Sequence, residues 1–245
     1  MLRDLPPGSE AVGRELDALR RDAAQEAEDR ARAALTPSRG PCAGRAPGFP
    51  RALLVGGGLQ LLQQLVGINT VMYFSATILR MGGLGSDAAA IWGAAAVALT
   101  NVGGAAVGVR LVESSGRRPL VLGSLAVVVA ALALLAASFH LQQAGLAPKA
   151  LAGGMTLTAL VAYIAGFSPG MGTMPWTINS EIYAMQDRSL GTAVSSALNW
   201  TGNLAISMTF LTICEAITPA GAFVLYAAVG LVGFVFLYRM LPETK

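Results

Sequence analysis

Long uncharged stretches dominate the sequence after residue 51. Six intervals between ionisable residues contain 21 to 31 residues each, and their hydrophobic positions surround the helix axis instead of marking one face. A helix needs about 20 apolar residues to cross the hydrocarbon core of a bilayer, so each interval is long enough for one span. The pattern predicts six transmembrane helices, at residues 52–79, 88–110, 119–139, 151–176, 190–214 and 217–238.

The first fifty residues have a different pattern. Val12, Leu16 and Leu19 follow Ser9 at helical spacing among mixed charges, and the segment TPSRGPCAGRAPGFP then interrupts the helix with prolines and glycines. Residues 1–50 are therefore predicted to form a cytosolic linker, an amphipathic helix followed by a Pro/Gly-rich segment. A solvated helix without its own function is the simpler interpretation, and cytosolic docking or regulation is the alternative.

Composition and motifs exclude several classes of protein. Charged residues make up 13% of the chain, against about 25% in soluble domains. Two cysteines and one histidine cannot supply a disulfide framework or a recognisable zinc set. The sequence also contains no nucleophile elbow and no phosphate-binding glycine loop. We predict a protein that is not an enzyme, with no cofactor, no metal and no nucleic-acid partner.

The distribution of Lys and Arg predicts the orientation in the lipid bilayer. A cytosolic N-terminus places 14 of the 17 basic residues on the cytosolic side, as the positive-inside rule requires. The start, MLRDLPPGSE, lacks the apolar stretch of a signal peptide, so the first span is expected to direct insertion. We predict a multi-pass membrane protein with both termini cytosolic; plasma membrane and endomembrane both stay open.

Polar side chains mark one face of the first span. Gln60, Gln63, Gln64 and Gly67 fall within about 100° of one another on a regular helix, whereas Asn69 lies about 180° from Gln60. Glycine permits a bend that a regular helix does not. A bend at Gly67 would bring Asn69 toward the same cavity as the glutamines.

The fourth span is interrupted between Gly166 and Pro175, just before Trp176. Such interruption is tolerated at membrane depth inside protein or beside a cavity. The first and fourth spans each open a triplet, and broken helices at equivalent positions of repeats indicate a transporter's midplane site. Close helix packing is the alternative, and it is the preferred interpretation for Gly104 and Gly108 in the second span.

Neutral amides are the main polar groups of the spans. Amides both donate and accept hydrogen bonds, as the hydroxyls of a polyol do, and aromatic rings pack against its C–H faces. An ion path would need carboxylates, and the middle of the spans has no clear Asp, Glu, Lys, Arg or His. The pattern favours a small neutral polyol or sugar, bound by amides drawn from Gln63, Gln64, Asn69, Asn101, Asn199 and Asn203.

Two short charged segments, VESSGRRP and SEIYAMQDR, lie in predicted cytosolic turns. Pairs between arginine and carboxylate at such a surface can hold the inner side closed and release it. Positive-inside anchoring alone is the alternative. The residues of this predicted cytosolic latch are Glu113, Arg117, Arg118, Glu181 and Arg188.

Several motifs occur together in a recognisable order, namely QQLVGIN, GRRP after VESS, GTMPWTINSEIY, Asn199-Trp200 and PETK. Over residues 50–245 the sequence resembles the C-terminal half of the sugar-porter branch of the major facilitator superfamily, most of all its proton-coupled myo-inositol transporters. The resemblance implies an all-α membrane protein whose six helices form a 3+3 repeat. The residues preceding them resemble the linker between the two halves.

The resemblance also implies roles for individual residues. Tyr73 and Phe74 match an aromatic pair that closes the outer side, and the latch residues match a cytosolic network. Substrate contacts are implied for Gln63, Gln64, Asn69, Asn101, Trp176 and Asn203. Three departures stand out: Val66 and Ser168 differ from the hexose facilitators, and Ser114 replaces the first arginine of the latch motif.

Two functions remain open at this stage. In the first, the chain is the C-terminal half of a sugar or polyol transporter, with myo-inositol and protons as the best candidates for its cargo. The proton-accepting acid would then lie in the missing N-terminal half. In the second, the chain is a truncated six-span membrane protein that does not transport alone and acts as a partner-binding or dominant-negative form.

Overall fold

The computed structural model describes Asp17, Arg21, Ala24, Gln25, Glu28, Ala46 and residues 48–241, with the backbone alone for Glu113 and Ser114. Most of the predicted linker therefore lies outside the described residues, including the Pro/Gly-rich segment up to Arg45. The five described positions between 17 and 28 are helical. A separate compact unit begins at Ala46 and contains all the helices named below.

The described part of this unit is built of helices joined by short turns, as the sequence predicts. Seven α-helices and one π-helical turn follow one another along the chain. They are α1 Phe49–Leu65, α2 Ile68–Met81, α3 Asp87–Ser115, α4 Arg117–Gln143, α5 Lys149–Phe167, the π-turn Ser168–Gly172, α6 Met174–Ile182 and α7 Arg188–Met240.

Within the described residues, five helical stretches are long and apolar enough to cross a membrane. Two of them combine elements, because α1 continues into α2, and α5 continues through the π-turn into α6. The fifth, α7, has 53 residues and would measure about 80 Å, against about 30 Å for the hydrocarbon core. The stretches are Phe49–Met81, Asp87–Val112, Arg117–Gln143, Lys149–Ile182 and Arg188–Met240.

Helix α7 contains a break in its backbone. Ile217 has φ −127°, and Thr218 has φ 71° and ψ 155°, a conformation that a β-branched residue rarely adopts. Pro219 follows, and the Thr218 hydroxyl accepts a hydrogen bond from the Gly221 amide at 3.2 Å, as a helix-capping residue does. The break follows the span predicted at 190–214 and occupies the first two residues of the span predicted at 217–238.

The core lies between α1, α4, α5 and α7. Helix α1 packs along α7, and α4 packs against both α5 and α7. Leu59, Leu125, Leu160 and Phe223, one from each of these helices, are fully buried. Helix α3 is peripheral and exposes a series of large apolar side chains, including Ile91, Trp92, Leu99 and Val102. Such a surface would be unstable in water and is suited to lipid or to another apolar helix.

Candidate binding site

The first span bends at Gly67, as the sequence predicts. Gly67 has φ 87°, and α2 begins at the next residue. The Tyr163 hydroxyl donates to the Val66 carbonyl at 3.0 Å, which gives this backbone group at the break a buried partner. A Cβ atom at Gly67 would lie 2.8 Å from the Tyr226 ring, so the chain needs glycine here for space as well as for its φ angle.

The bend turns Asn69 toward the glutamines. Its Nδ2 donates a hydrogen bond to Oε1 of Gln64, although the two residues would face apart on a straight helix. The bend therefore brings Asn69 into contact with a glutamine of the first span, as predicted, although the glutamines do not line the cavity that Asn69 lines.

Asn199 is the centre of a buried amide network. Its Nδ2 lies 2.7 Å from Oε1 of Gln60 and 2.7 Å from Oε1 of Gln63, and its Oδ1 accepts from Nε2 of Gln64 at 3.1 Å. All four side chains are at most 6% exposed. Asn199 therefore joins α7 to three glutamines of α1, a role that neither the composition nor the resemblance assigned to it.

Gln63 extends this network to the broken fourth span. Its Nε2 donates to the carbonyl oxygens of Met171 at 2.6 Å and Gly172 at 3.1 Å. Both carbonyls belong to the π-turn. The contacts of Gln63 link the interrupted helix to α1 and, through Asn199, to α7.

The π-turn is also held from its other side. Ser124 of α4 donates to the Gly166 carbonyl at 2.6 Å and accepts from the Met171 amide at 2.9 Å. These two bonds satisfy backbone groups at the interruption, as buried polar groups require. The presence of Ser124 in an otherwise apolar stretch gave no sequence signal for this role.

A cavity of about 420 Å³ opens between α2, α3 and the π-turn. Its volume falls within the range of about 300–1,000 Å³ that is typical of small-molecule sites. The predicted residues Asn69, Asn101 and Tyr73 line it together. The remaining lining residues are Ile68, Met72, Ala105, Phe167, Ser168, Gly172 and Thr173.

Hydroxyl groups accompany the two asparagines of this cavity. The Ser168 oxygen lies 2.6 Å from Oδ1 of Asn101 and 2.8 Å from the Ile164 carbonyl. Thr173 and Tyr73 add further hydroxyl groups to the lining. The cavity therefore offers neutral donors and acceptors, with aromatic surface from Tyr73 and Phe167.

Other predicted site residues lie away from this lining. Gln63 and Gln64 belong to the buried network, and Trp176 on α6 is 43% exposed. Asn203 accepts a hydrogen bond from Ser207 at 3.0 Å. Phe74 packs against Phe210, with ring centroids 5.3 Å apart, so the predicted gate residues Tyr73 and Phe74 face different neighbours.

A larger cavity of about 650 Å³ lies between α4 and the part of α7 after its break. Its lining is mostly alanine and valine, with His140, Gln143 and Thr218 among the few polar residues. This lining offers a polyol few hydrogen-bonding partners. The smaller cavity is the better candidate because amides and hydroxyls converge there.

One ion pair of the predicted cytosolic latch is present in the structure. Arg117 and Glu181 make an ion pair with 3.0 Å between Nη2 and Oε1. Arg118 instead donates to the Tyr238 carbonyl at 2.7 Å, near the end of α7, and lies over the Tyr238 ring. Arg188 has a buried Nε with no hydrogen-bond partner among the described residues. The side chain of Glu113 lies outside the described part of the chain.

We expect the Arg117–Glu181 pair to contribute about 0.5–1 kcal/mol, because both side chains are only about a quarter exposed. The measurement is a double-mutant cycle with Arg117→Gln and Glu181→Gln, read from the unfolding free energy in detergent. The exposed pair Arg80–Asp87, at 3.5 Å, provides the control and should show a smaller coupling. Equal couplings for both pairs would contradict the expected effect of burial.

A sequence model of the family described as "Sugar (and other) transporter" matches residues 9–245. The chain belongs to this family. Its members are multi-pass integral membrane transporters, and the apolar helices of the chain agree with that class.

Relatives of this sugar-transporter chain include a human proton myo-inositol cotransporter, 35% identical over 97% of the chain and 49% of the relative. A myo-inositol transporter of Cryptococcus neoformans is 37% identical over 80% of the chain and 35% of the relative. A galactose-proton symporter of Escherichia coli is 30% identical over 80% of the chain and 42% of the relative. The chain therefore spans about half the length, or less, of these relatives.

Solved structures show the same fold. A major facilitator superfamily proton:xylose symporter bound to 6-bromo-6-deoxy-D-glucose superposes with a TM-score of 0.69 at 26% identity, over 79% of this chain and 40% of the symporter. A partially occluded, inward-open xylose transporter from E. coli gives 0.67 at 25% identity, over 81% and 41%. The helices of this sugar-transporter chain correspond to less than half of each symporter.

Proposed function

We propose that the chain is the C-terminal half of a transporter that moves a neutral polyol or sugar, with myo-inositol as the first candidate. The observation that carries the proposal is the cavity in which the bend at Gly67 places Asn69 beside Asn101 and Ser168. A polyol needs partners that both donate and accept, and these side chains do both. The human and fungal relatives are described as myo-inositol transporters, which supports this substrate.

The transporter half would cross the membrane six times. Helix α7 is long enough for two crossings, and its break at Ile217 and Thr218 provides the turn between them. With six crossings, both termini would lie on the same side of the membrane. The distribution of Lys and Arg favours the cytosol for that side, and the end of the helices that carries Arg117 and Glu181 would then face it. That ion pair would act as part of a cytosolic latch, while Tyr73 and Phe74 would close the outer side.

Alternating access requires a second half opposite the cavity. The exposed apolar surface of α3 and the open side of the cavity are the places where the missing N-terminal half would pack. Coupling to protons is supported by the descriptions of the human and E. coli relatives. The residues that line the cavity include no carboxylate and no histidine, so the proton-accepting group would belong to the other half.

Uptake of labelled myo-inositol and glucose tests the proposal. The chain is expressed alone and, separately, fused behind the half of the human cotransporter that it does not match, at pH 5.5 and 7.5. We expect the fusion to take up myo-inositol faster at pH 5.5. Absence of uptake of either substrate by the fusion would contradict the proposed function, and pH-independent uptake would contradict proton coupling.

Expression of the chain alone addresses the second function. A truncated form that binds a partner would not transport alone but would lower uptake by a co-expressed full-length relative. An upstream coding sequence with six further spans would contradict this second function.

We expect Asn101→Ala in the fusion to weaken the apparent affinity for myo-inositol about two- to tenfold, because it removes a hydrogen-bond partner worth roughly 0.5–1.5 kcal/mol. The readout is the KM of uptake together with the amount of protein at the membrane. Thr158→Ala is the control, because Thr158 is exposed and its hydroxyl bonds only the Gly154 carbonyl at 2.9 Å among described atoms. An unchanged KM in Asn101→Ala would remove Asn101 from the site.

A further inference from the structure

The orientation of the Asn199 amide is fixed by the backbone. Its nitrogen lies 3.0 Å from the Gln60 carbonyl oxygen, and a carbonyl can only accept a hydrogen bond. The atom of Asn199 that faces Gln60 must therefore be Nδ2, and Oδ1 must point the other way. Asn199 therefore has one possible orientation, although the nitrogen and oxygen ends of an amide look alike.

This orientation determines the next two side chains in turn. Because Oδ1 of Asn199 can only accept, Gln64 must present Nε2 to it, at 3.1 Å. Oε1 of Gln64 then faces Asn69 and can only accept, so Asn69 must donate with Nδ2. The nitrogen of Asn69 is turned toward Gln64, which leaves Oδ1 as the end of the amide directed away from the network.

A second backbone contact fixes the same direction independently. Nε2 of Gln63 donates to the carbonyls of Met171 and Gly172, so Oε1 of Gln63 must accept from Nδ2 of Asn199. Both anchors require that Asn199 donates toward Gln60 and Gln63 and accepts from Gln64. Gln63, Gln64, Asn69 and Asn199 thus have one consistent arrangement of their amides, whereas Nε2 of Gln60 has no hydrogen-bond partner among the described residues.

We propose that Asn199 is a positioning residue that holds Asn69 so that Oδ1 of Asn69 is available to the cavity; this proposal rests on the proposed function. Asn199 does not line the cavity, whereas Asn69 does. The bound polyol would then donate a hydroxyl hydrogen to Asn69 at this point of the site. Asn199 and Gln64 would determine this preference for a donor without touching the substrate.

The hydrogen bonds can be tested directly on the 245-residue chain in detergent. It contains five asparagines, so labelling with ¹⁵N-asparagine gives five side-chain NH₂ groups that single substitutions can assign. We expect slow hydrogen exchange at Asn69 in the unsubstituted chain. Asn199→Leu and Gln64→Met should each shift the Asn69 signal and accelerate its exchange, because both remove the fixed acceptor arrangement.

Thr209→Val is the matched control on α7. Thr209 is exposed, and its hydroxyl bonds the Ala205 carbonyl at 2.7 Å, away from the amide network. The Asn69 signal should be unchanged in this variant. If Asn199→Leu does not fold, Gln64→Met alone decides the result, since Gln64 is the direct partner of Asn69.

Substrate analogues test the consequence for recognition. A deoxy-inositol lacks one hydroxyl, and the corresponding fluoro analogue keeps a weak acceptor but cannot donate. At the ring position that contacts Asn69, both analogues should compete for uptake by the fusion about two- to tenfold more weakly than myo-inositol. The ring position that contacts Asn69 is identified as the one whose penalty disappears in Asn69→Ala. At that position, the penalty should fall below twofold in Asn199→Leu and in Gln64→Met.

Two results would overturn the inference. One is an Asn69 signal that neither Asn199→Leu nor Gln64→Met alters. The other is an unchanged analogue penalty in both variants. Absence of uptake by the unsubstituted fusion would instead contradict the proposed function, and the asparagine signals would still decide how Asn69 is oriented.

Discussion

Gly67→Ala is expected to reduce myo-inositol uptake by the fusion at least about tenfold. Gly67 has φ 87°, where a residue with a Cβ atom costs roughly 1–2 kcal/mol more than glycine. The new Cβ would also lie 2.8 Å from the Tyr226 ring. A cost of about 1.4 kcal/mol against the bent conformation already reduces its population tenfold relative to a straighter helix.

Loss of the bend would act on the site through Asn69. A straighter first span turns Asn69 away from Gln64 and from the cavity, so the substrate loses a partner and the amide network loses a donor. The measurements are uptake and thermal unfolding of the purified protein. Gly123→Ala is the control, because its Cβ would meet nothing within 4 Å on an exposed face of α4. Normal uptake by Gly67→Ala would mean that the bend is not needed.

The helices were predictable because uncharged intervals mark them directly. The prediction at 119–139 corresponds to α4 at Arg117–Gln143, and the one at 88–110 corresponds to α3 at Asp87–Ser115. The helices are longer than the intervals because their ends continue into polar sequence beyond the apolar core. Because a helix that crosses a lipid bilayer needs about 20 apolar residues in a row, these helices can be located from the sequence with little tertiary information.

The bend at Gly67 was predictable for a different reason. A polar stripe followed by an asparagine on the opposite face indicates a local conflict, and glycine offers the way to resolve it. The partners of each amide were not predictable. Residue type alone treats Asn101, Asn199 and Asn203 as equivalent, and the resemblance implies substrate contacts for Asn101 and Asn203. The packing of α1 against α7 shows that Asn199 is buried among glutamines, while Asn101 reaches the cavity.

The contact between α3 and the π-turn is a second case in which the sequence did not indicate the packing partner, here for two glycines. The sequence favoured close packing at Gly104 and Gly108 without indicating a partner. The structure confirms the packing: a Cβ at Gly104 would lie 2.6 Å from that of Ser168, and one at Gly108 would lie 2.7 Å from the backbone of Pro169. Ser168 also contacts Asn101 across this interface, so the packing of these glycines helps to position one wall of the cavity.

Gly108→Ala is therefore expected to destabilise the protein by about 1–3 kcal/mol, because the backbone of Pro169 cannot rotate away as a flexible side chain would. The midpoint of thermal unfolding should fall by about 2–10 °C. Gly103→Ala is the matched control, since its Cβ would meet nothing within 4 Å on the same helix and alanine favours helix by roughly 0.5–1 kcal/mol.

The same substitution should also impair uptake, because a displaced π-turn carries Ser168 away from Asn101 and moves the carbonyls of Met171 and Gly172 that Gln63 binds. A purely structural glycine would lower the unfolding midpoint and leave the KM of the remaining folded protein unchanged. A higher KM in Gly108→Ala, with an unchanged KM in Gly103→Ala, would indicate that the seating of the interrupted helix on α3 sets the geometry of the cavity. Equal midpoints in the two variants would contradict the close approach of α3 to Pro169.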